Sequence, residues 1–107
     1  MEERYINREL ALLAFQERVL DMAADSTMPL LARVKVSAIV TNNLDEFFQV
    51  RVAGLINQQR SSPESRSADG LTAAEQLAAI RPRAERLVRQ IDDIFLDELL
   101  PALEKEQ

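Results

Sequence analysis

Residues 29–55, PLLARVKVSAIVTNNLDEFFQVRVAGL, decide the fold class. Apolar residues recur here at alternating steps of three and four, which is the period of a helix. The main stripe consists of Leu30, Val34, Ser37, Thr41, Leu44, Phe48, Arg51 and Leu55. A second face consists of Val36, Ile39, Val40, Phe47 and Val50. Because so wide an apolar arc needs neighbours on more than one side, we predict a long central helix with Pro29 in its first turn.

The segments on either side carry the same helical period. A first helix is expected over residues 8–24, capped by Asn7. Its apolar face consists of Leu12, Phe15, Val19 and Met22, widened by Leu13 and Leu20. A third helix is expected to begin at the capping-box spacing of Thr72 and Glu75. Its stripe consists of Leu77, Ile80, Ala84, Leu87, Ile91, Phe95, Leu99 and Leu103.

Two prolines fall within the third helix, and one polar segment separates it from the second. The apolar phase is kept across Pro82, so we predict a kink near Arg81 and not a break. Pro101 is expected to mark fraying towards the end. Residues 60–70, RSSPESRSADG, have no apolar pattern and predict a mobile loop. The fold class is therefore all-α: a single domain over residues 1–107, forming an antiparallel up-down-up three-helix bundle, spectrin-repeat-like, with long second and third helices.

Composition excludes several classes of function for this chain. It has 107 residues, a net charge of -5, and neither histidine nor cysteine. The commonest metal ligands and nucleophile–base pairs are thus missing, and the acidic balance argues against nucleic acid. The only glycines, Gly54 and Gly70, form no phosphate-binding loop. On its own the chain is not expected to catalyse a reaction, to hold a metal or to bind a cofactor.

The chain also lacks the sequence features of membrane proteins. No apolar run approaches the roughly 18 residues that a membrane-spanning helix needs. The start, MEERYINREL, is charged and contains no apolar leader. We therefore expect a cytoplasmic location, in agreement with the absence of cysteine.

The pair Asn42 and Asn43 is unusual at the centre of a helix, because asparagine competes with the backbone for hydrogen bonds. Asn43 shares the arc of Val40 and Phe47, whereas Asn42 faces about 100° away. One interpretation is structural, with the amide bonded to a neighbouring carbonyl of the bundle. The other is recognition, because a carboxamide offers a donor and an acceptor that match the edge of adenine. Spacing alone favours the structural interpretation.

Other polar and aromatic residues give weaker signals. Asp45 and Glu46 diverge on a helix and are expected to be solvated or ion-paired. Arg51 falls on the apolar stripe, where it is expected to extend along the surface or pair with an acid of another helix. Phe47 and Phe48 point to different faces of the helix, and both are expected to lie in the core. Arg8, Arg18 and Arg33 could form a patch for phosphates, although arginines scattered on helices are usually solvated.

RYINRELALLAFQERVL, residues 4–20, followed by residues 29–55, closely resembles the start of bacterial polyphosphate kinases of the first type. The family pattern is E-L-x-W-L-x-F-N-E-R-V-L, then P-L, then N-L-D-E-F and V-R-x-A, and the spacing between these blocks is preserved. The resemblance is strong over residues 5–55. The chain departs from the pattern at Ala11 for the usual Ser, Leu12 for Trp and Gln16 for Asn.

The resemblance implies that this is the helical N-terminal domain of a longer enzyme, which continues into a dimerisation domain and two domains resembling phospholipase D. Such enzymes reversibly transfer the terminal phosphate of ATP to polyphosphate through a phosphohistidine, with Mg²⁺. The nucleophilic histidine lies in the later domains. Asn43 is implied to contact the adenine base. The implied partners are the remaining domains, ATP, polyphosphate and a second copy of the whole enzyme.

Two other hypotheses stay open. In one, the domain is a purely structural module that docks on the catalytic domains, and Asn43 serves only the bundle. In the other, the chain is a free-standing adaptor with no kinase attached. A coding sequence that continues beyond Gln107 to a histidine in a phospholipase-D-like setting supports the kinase hypotheses, whereas a stop codon supports the adaptor.

Overall fold

The computed structural model describes residues 7–67 and 69–106, and this part of the chain is helical. The elements are α1 (Arg8–Ala23), α2 (Leu30–Glu46), a first π-helical segment (Phe47–Val52), α3 (Ala53–Ser61), α4 (Ala73–Ile94), a second π-helical segment (Phe95–Leu99) and α5 (Leu100–Lys105). Within the described residues the only β-type pairing is an isolated bridge between Arg66 and Thr72. The predicted all-α class is confirmed.

Helical backbone angles continue through both π-helical segments, so the seven elements form three rods. The first rod is α1. The central rod joins α2, the first π-helical segment and α3, and the third rod joins α4, the second π-helical segment and α5. The predicted apolar stripe ends at Leu55, and the central rod continues to Ser61, two residues into the predicted loop of residues 60–70. None of the helices in the described part of the chain is long and apolar enough to cross a membrane.

Local side-chain chemistry explains where the rods begin. The Asn7 side chain accepts a hydrogen bond from the Leu10 N–H, as predicted for the cap of α1. Thr72 and Glu75 form the predicted capping box at the start of α4. The prediction for Pro29 was wrong by one position: it precedes the first helical residue, with φ -57° and ψ 143°, and no side chain caps α2 there. The Pro29 carbonyl accepts a hydrogen bond from the Arg33 N–H at 3.1 Å, which is the first hydrogen bond of α2.

Polar contacts join the three rods side by side. Those between the first and central rods run in opposite order along the two: Ala23 with Arg33, Gln16 with Asn43, and Glu9 with Arg51. Those between the first and third rods run in the same order: Asn7 with Gln76, and Glu17 with Arg83. Arg33 at the start of the central rod meets Glu98 near the end of the third rod.

The core lies between the rods and is apolar. It consists of Leu13, Leu20, Ala23, Val40, Leu44, Phe47, Leu55, Ala73, Ile80, Ala84 and Leu87. Burying a Leu- or Phe-sized side chain of this set contributes about 1.5–3 kcal/mol. Because α1 contacts both α2 and α4, its buried face is centred on Leu13 and Leu20. The predicted face was therefore rotated: Phe15 and Met22 are 51% and 45% exposed.

The π-helical segments shift the register of the apolar stripes. In a π-helix each N–H bonds five residues back, and such segments are rare. At the first, Phe47 is buried but Phe48 is 41% exposed, so the prediction of two core phenylalanines was wrong for Phe48. The second precedes Pro101, which has no N–H to donate. The third rod continues past Pro101 to Lys105, contrary to the fraying expected there. α4 runs unbroken through Pro82, as predicted, whereas the kink near Arg81 stays a prediction.

The connection between the central and third rods is hydrogen-bonded and closes on the start of α1. The Ser67 N–H donates to the Leu71 carbonyl at 2.8 Å, and Gly70 has φ 88°, a backbone conformation that favours glycine. Asn7 and Gln76 are both buried, and the Asn7 Nδ2 donates to the Gln76 Oε1 at 3.0 Å. This amide pair fixes the start of α1 against the start of α4.

Arg33 holds three elements together, and its removal should be costly. Its Nε donates to the Ala23 carbonyl at 2.8 Å, its Nη2 donates to Glu98 at 2.6 Å, and its side chain is only 9% exposed. We expect Arg33→Ala to lower the free energy of unfolding by about 2–4 kcal/mol, because a buried carbonyl and a carboxylate lose their donor. Urea unfolding measures this change. Glu98→Gln, which keeps an acceptor in a half-exposed position, should cost less than about 1 kcal/mol, and equal losses in the two variants would contradict this account.

The capping box makes stability depend on pH at the start of α4. The Thr72 backbone N–H, and next its hydroxyl, hold the pKa of Glu75 below its usual value of 4.5. A carboxyl with a lowered folded pKa stabilises the fold above its unfolded pKa and loses this effect as pH falls through the folded pKa. Glu75→Gln keeps the hydrogen-bonding shape of the box.

We therefore expect the wild-type protein to be more stable than Glu75→Gln at pH 7, with the difference vanishing well below pH 4.5. Urea midpoints of both proteins at neutral and acidic pH test this. Asp25, whose pKa is lowered by the Thr27 hydroxyl and then by its N–H, titrates equally in both proteins and cancels. A difference between the two midpoints that is the same at both pH values would refute the charge effect.

Candidate functional site

A cleft of about 430 Å³ opens between α1 and the central rod. Its lining consists of Leu12, Leu13, Phe15, Gln16, Asn43, Leu44, Glu46, Phe47, Val50 and Arg51. This volume falls in the range of small-molecule sites, which are mostly apolar with a few polar groups that set orientation. The lining has that composition, with two side-chain amides among aliphatic and aromatic residues.

Asn43 reaches the cleft from the last turns of α2. Its side chain is exposed, and its Nδ2 donates to the Gln16 Oε1 of α1 at 3.2 Å. The structural interpretation expected an amide bonded to a neighbouring carbonyl. The side-chain carbonyl of Gln16 on α1 is such a partner, and the described residues provide no further hydrogen bond to the Asn43 amide. Its Oδ1 and its second N–H are therefore available to a ligand.

The walls of the cleft are apolar on both sides of the amide. Leu13, Leu44 and Phe47 belong to the core and form the floor. Phe15 from α1 and Val50 from the central rod form the rim, and they are 51% and 59% exposed. An amide between exposed apolar side chains suits a flat, largely apolar ring that carries hydrogen-bonding groups on one edge.

The charges at the cleft are balanced, so it has no strong attraction for phosphate. Arg51 Nη1 contacts Glu9 Oε2 at 3.2 Å, which confirms that Arg51 pairs with an acid of another helix. Among the described lining residues Arg51 is the one cation, and Glu46 adds a negative charge. The cleft thus suits the neutral end of a ligand better than an anionic end.

The structure does not bring the proposed phosphate patch together. Arg33 is buried against Ala23 at the end of α1 and pairs with Glu98. Arg8 begins the same helix of 16 residues, and it therefore lies about 22 Å from that point. Arg18 lies with its guanidinium 5.8 Å from the centre of the Phe15 ring. Because Arg33 is buried and paired at the opposite end of α1 from Arg8, the three arginines do not form one patch.

The remaining sequence candidates form no further site. Asn42, Asp45 and Glu46 are all exposed. Within residues 7–67 and 69–106, no group of three or more acidic side chains is arranged to hold a metal ion.

Two features of the structure were missed by sequence reasoning. Gln16 bonds to Asn43 from 27 residues away, and the only signal for it was its position in the quoted opening motif. A second, apolar groove of about 640 Å³ lies between the central rod and α4. Its lining consists of Phe48, Val52, Leu77, Ile80, Arg81, Ala84, Glu85, Val88 and Arg89. Phe48, which lines that groove, was predicted as core, so its residue type did not indicate the groove.

The fold and the cleft together define an all-helical module that presents a side-chain amide between apolar walls. The profile of the polyphosphate kinase N-terminal domain family matches residues 5–107. The chain belongs to this family, as the resemblance of its motifs indicated.

Individual relatives agree with the family profile. The chain is similar to the polyphosphate kinase of Mycobacterium tuberculosis strain H37Rv, with 51% identity over 104 residues, which are 97% of the chain. It is 50% identical over 105 residues to the polyphosphate kinase of Mycobacterium marinum, and 49% identical over 105 residues to that of Mycolicibacterium gilvum, in each case over 98% of the chain. The matches span 14% of the length of each relative. No solved structure matches the chain.

Proposed function

We propose that the chain is the N-terminal domain of a polyphosphate kinase that reversibly transfers the terminal phosphate of ATP to polyphosphate, and that Asn43 contacts the adenine base. One observation carries the proposal. Every residue lining the cleft between α1 and the central rod comes from the two motif blocks, residues 4–20 and 29–55. Two blocks that are separate in sequence thus meet at the one place where Asn43 is accessible.

The chemistry of the Asn43 amide fits an adenine. Adenine presents a hydrogen-bond acceptor next to the donor of its 6-amino group, and a carboxamide complements this pair with its own donor and acceptor. Asn43 retains one N–H and its Oδ1 after it donates to Gln16. The ring would lie between the apolar side chains at the rim of the cleft, in the manner usual for flat ligands.

The rest of the reaction is assigned to parts of the enzyme outside this chain. The relatives are named polyphosphate kinases, and the chain corresponds to 14% of their length. The phosphohistidine, the Mg²⁺ and the self-association belong to that remainder in our proposal. The described cleft agrees with this division, because its arginine is already paired and its lining contains no histidine. The cytoplasmic location expected from the sequence is part of the same proposal.

The arrangement of the rods is part of the proposal as well. We assign residues 1–107 to a single up-down-up bundle, supported by contacts that run in opposite order between the first and central rods and in the same order between the first and third. The cleft is open and forms only one wall of a pocket. We assign the exposed rim residues Phe15 and Val50 to the docking of the remaining domains of the same chain, which would complete that pocket.

A purely structural docking module is the second candidate function. The exposed apolar rim favours it, because Phe15 and Val50 would be covered by the later domains whether or not a nucleotide binds. In that case the pair of Gln16 and Asn43 would serve only to join α1 to α2. The two functions differ in whether Asn43 affects ATP and polyphosphate equally.

The isolated domain should not bind ATP measurably. Two neutral hydrogen bonds contribute about 1–3 kcal/mol in total, whereas association costs at least about 4 kcal/mol in lost freedom. We expect isothermal titration of residues 1–107 with ATP to give no heat of binding up to millimolar concentration. Micromolar binding by this fragment would show that the cleft contacts far more of the nucleotide than its base.

In the whole enzyme, Asn43→Ala should raise the KM for ATP by roughly 5- to 100-fold, with a smaller effect on the KM for polyphosphate, because only ATP carries the base. Steady-state kinetics in both substrates measure this. Asn42→Ala is the matched control, since Asn42 is also exposed but points about 100° away. Equal losses with both substrates, or the same loss in the control, would favour the purely structural module.

A further inference from the structure

We propose that the apolar groove between the central rod and α4 binds a fourth helix, formed by the segment of the whole enzyme that directly follows residue 107, here named the following segment. The inference rests on the proposed function in one respect, that the domain continues into a longer kinase. The observation behind it is a groove of about 640 Å³ whose floor, Ile80 and Ala84, belongs to the core and whose rim is exposed.

The groove lies on the side of α4 that faces away from α1. Gln76 and Arg83 of α4 contact α1, whereas Val88 lines the groove. At 100° per residue, Arg83 and Val88 point about 140° apart around the helix. The central rod and α4 therefore hold α1 on one side and leave a groove on the other. A fourth helix occupies that place in a four-helix bundle.

The lining of the groove has the pattern of a helix-packing seam. Its apolar positions on α4 recur at steps of three and four: Leu77, Ile80, Ala84 and Val88. Phe48 of the central rod faces them, and both Phe48 and Val88 are 41% exposed. Between Leu77 and Arg89 the groove runs for about 18 Å along α4, which is the length of about three helical turns. An open, elongated apolar groove of this length suits the apolar face of a helix.

Charged residues flank the seam at the spacing of one helical turn. Arg81, Glu85 and Arg89 stand along its edge, and charges at such flanking positions set the partner and orientation of a packed helix. Arg81 Nε contacts Glu85 Oε2 at 3.4 Å, whereas Arg89 forms no ion pair within the described part of the chain. We therefore expect the following segment to carry an acidic residue where it passes Arg89.

The course of the third rod makes the following segment the nearest occupant of the groove. The rod ends at Lys105, and its end lies next to the start of the central rod. The family profile is that of an N-terminal domain, so the proposed enzyme continues after residue 107. Elements that are consecutive in the chain are usually adjacent in space. A helix that turns back after Lys105 runs antiparallel to the third rod, and it passes Arg89 after about 16 residues and Arg81 after about 24.

The test uses the whole enzyme with the photo-cross-linking residue p-benzoylphenylalanine in place of Arg81 in one protein and of Arg89 in another. Both side chains are exposed at the edge of the groove, so far-UV circular dichroism should show an unchanged helical fold. Mass spectrometry after irradiation identifies the joined peptides. We expect both positions to join to the following segment of the same molecule, within about 40 residues of Gln107. The site joined to position 81 should lie about 8 residues further along the chain than the site joined to position 89, because antiparallel helices pair in reverse order.

Two further proteins control for chance contacts. Ile39 is 52% exposed on the central rod and lines neither the groove nor the cleft, so the cross-linking residue in its place should not join to the following segment. Val88→Asp, combined with the cross-linking residue at position 89, puts a carboxylate into the seam. It should reduce the cross-linked yield roughly 5-fold or more, because a helix in the groove would bury that charge.

Several outcomes overturn the inference. They are cross-links to a later part of the chain, cross-links to a second copy of the enzyme, joined sites in parallel order, and no cross-link from either edge position. An equal yield from the Ile39 control, or an unchanged yield with Val88→Asp, overturns it as well. The base contact is tested separately by the kinetics of Asn43→Ala, and its failure would leave these cross-links unchanged, so the two failures are distinguishable.

Discussion

The central rod changes its packing partner partway along its length, and the rest of the structure depends on this change. Its first half, α2, packs chiefly on α1, whereas its last part, α3, packs on α4. In a regular helix the buried stripe of side chains points in nearly the same direction along the whole length. A rod that changes its packing partner therefore needs its buried stripe to turn about the axis. The first π-helical segment, Phe47–Val52, lies at the changeover. One extra residue in a turn rotates the following side chains by about 100°, which supplies the necessary rotation.

The same change of packing partner places the side chains around the cleft. Phe47 packs into the core, and Phe48, with its ring centre 5.9 Å away and nearly perpendicular, turns into the groove beside α4. Further along the segment Arg51 reaches Glu9. Asn43 lies one turn before the segment, on the last regular turns of α2, so its position is set by a helix that is packed on α1. A rare π-helical segment beside a candidate ligand site agrees with the frequent location of such segments at functional sites.

Local signals in the sequence predicted the local parts of the structure. Asn7 caps α1 and Thr72 forms a box with Glu75, because each contact spans three residues. The rotation of a helix about its axis depends on its neighbours, which the sequence of the helix does not specify. The buried face of α1 was therefore predicted to include Phe15 and Met22, whereas in the structure it is centred on Leu13 and Leu20. A π-helical segment leaves the residue types unchanged and only shifts their phase, so the stripe through Phe48 was wrong. The role of Asn43 stayed open because its partner, Gln16, lies on another helix.

The energetics of the cleft limit what its few polar groups could contribute in the proposed kinase. A base contact of about 1–3 kcal/mol cannot hold a nucleotide against the cost of association. If other domains anchor the phosphates, their contacts already offset the loss of freedom on association. The whole free energy of the base contact then discriminates between bases and orients the bound nucleotide. The cleft has the electrostatics for this task, since Arg51 is paired with Glu9 and Glu46 would repel a phosphate. In the proposed enzyme, affinity and chemistry therefore belong to the charged domains, and the helical domain selects the base.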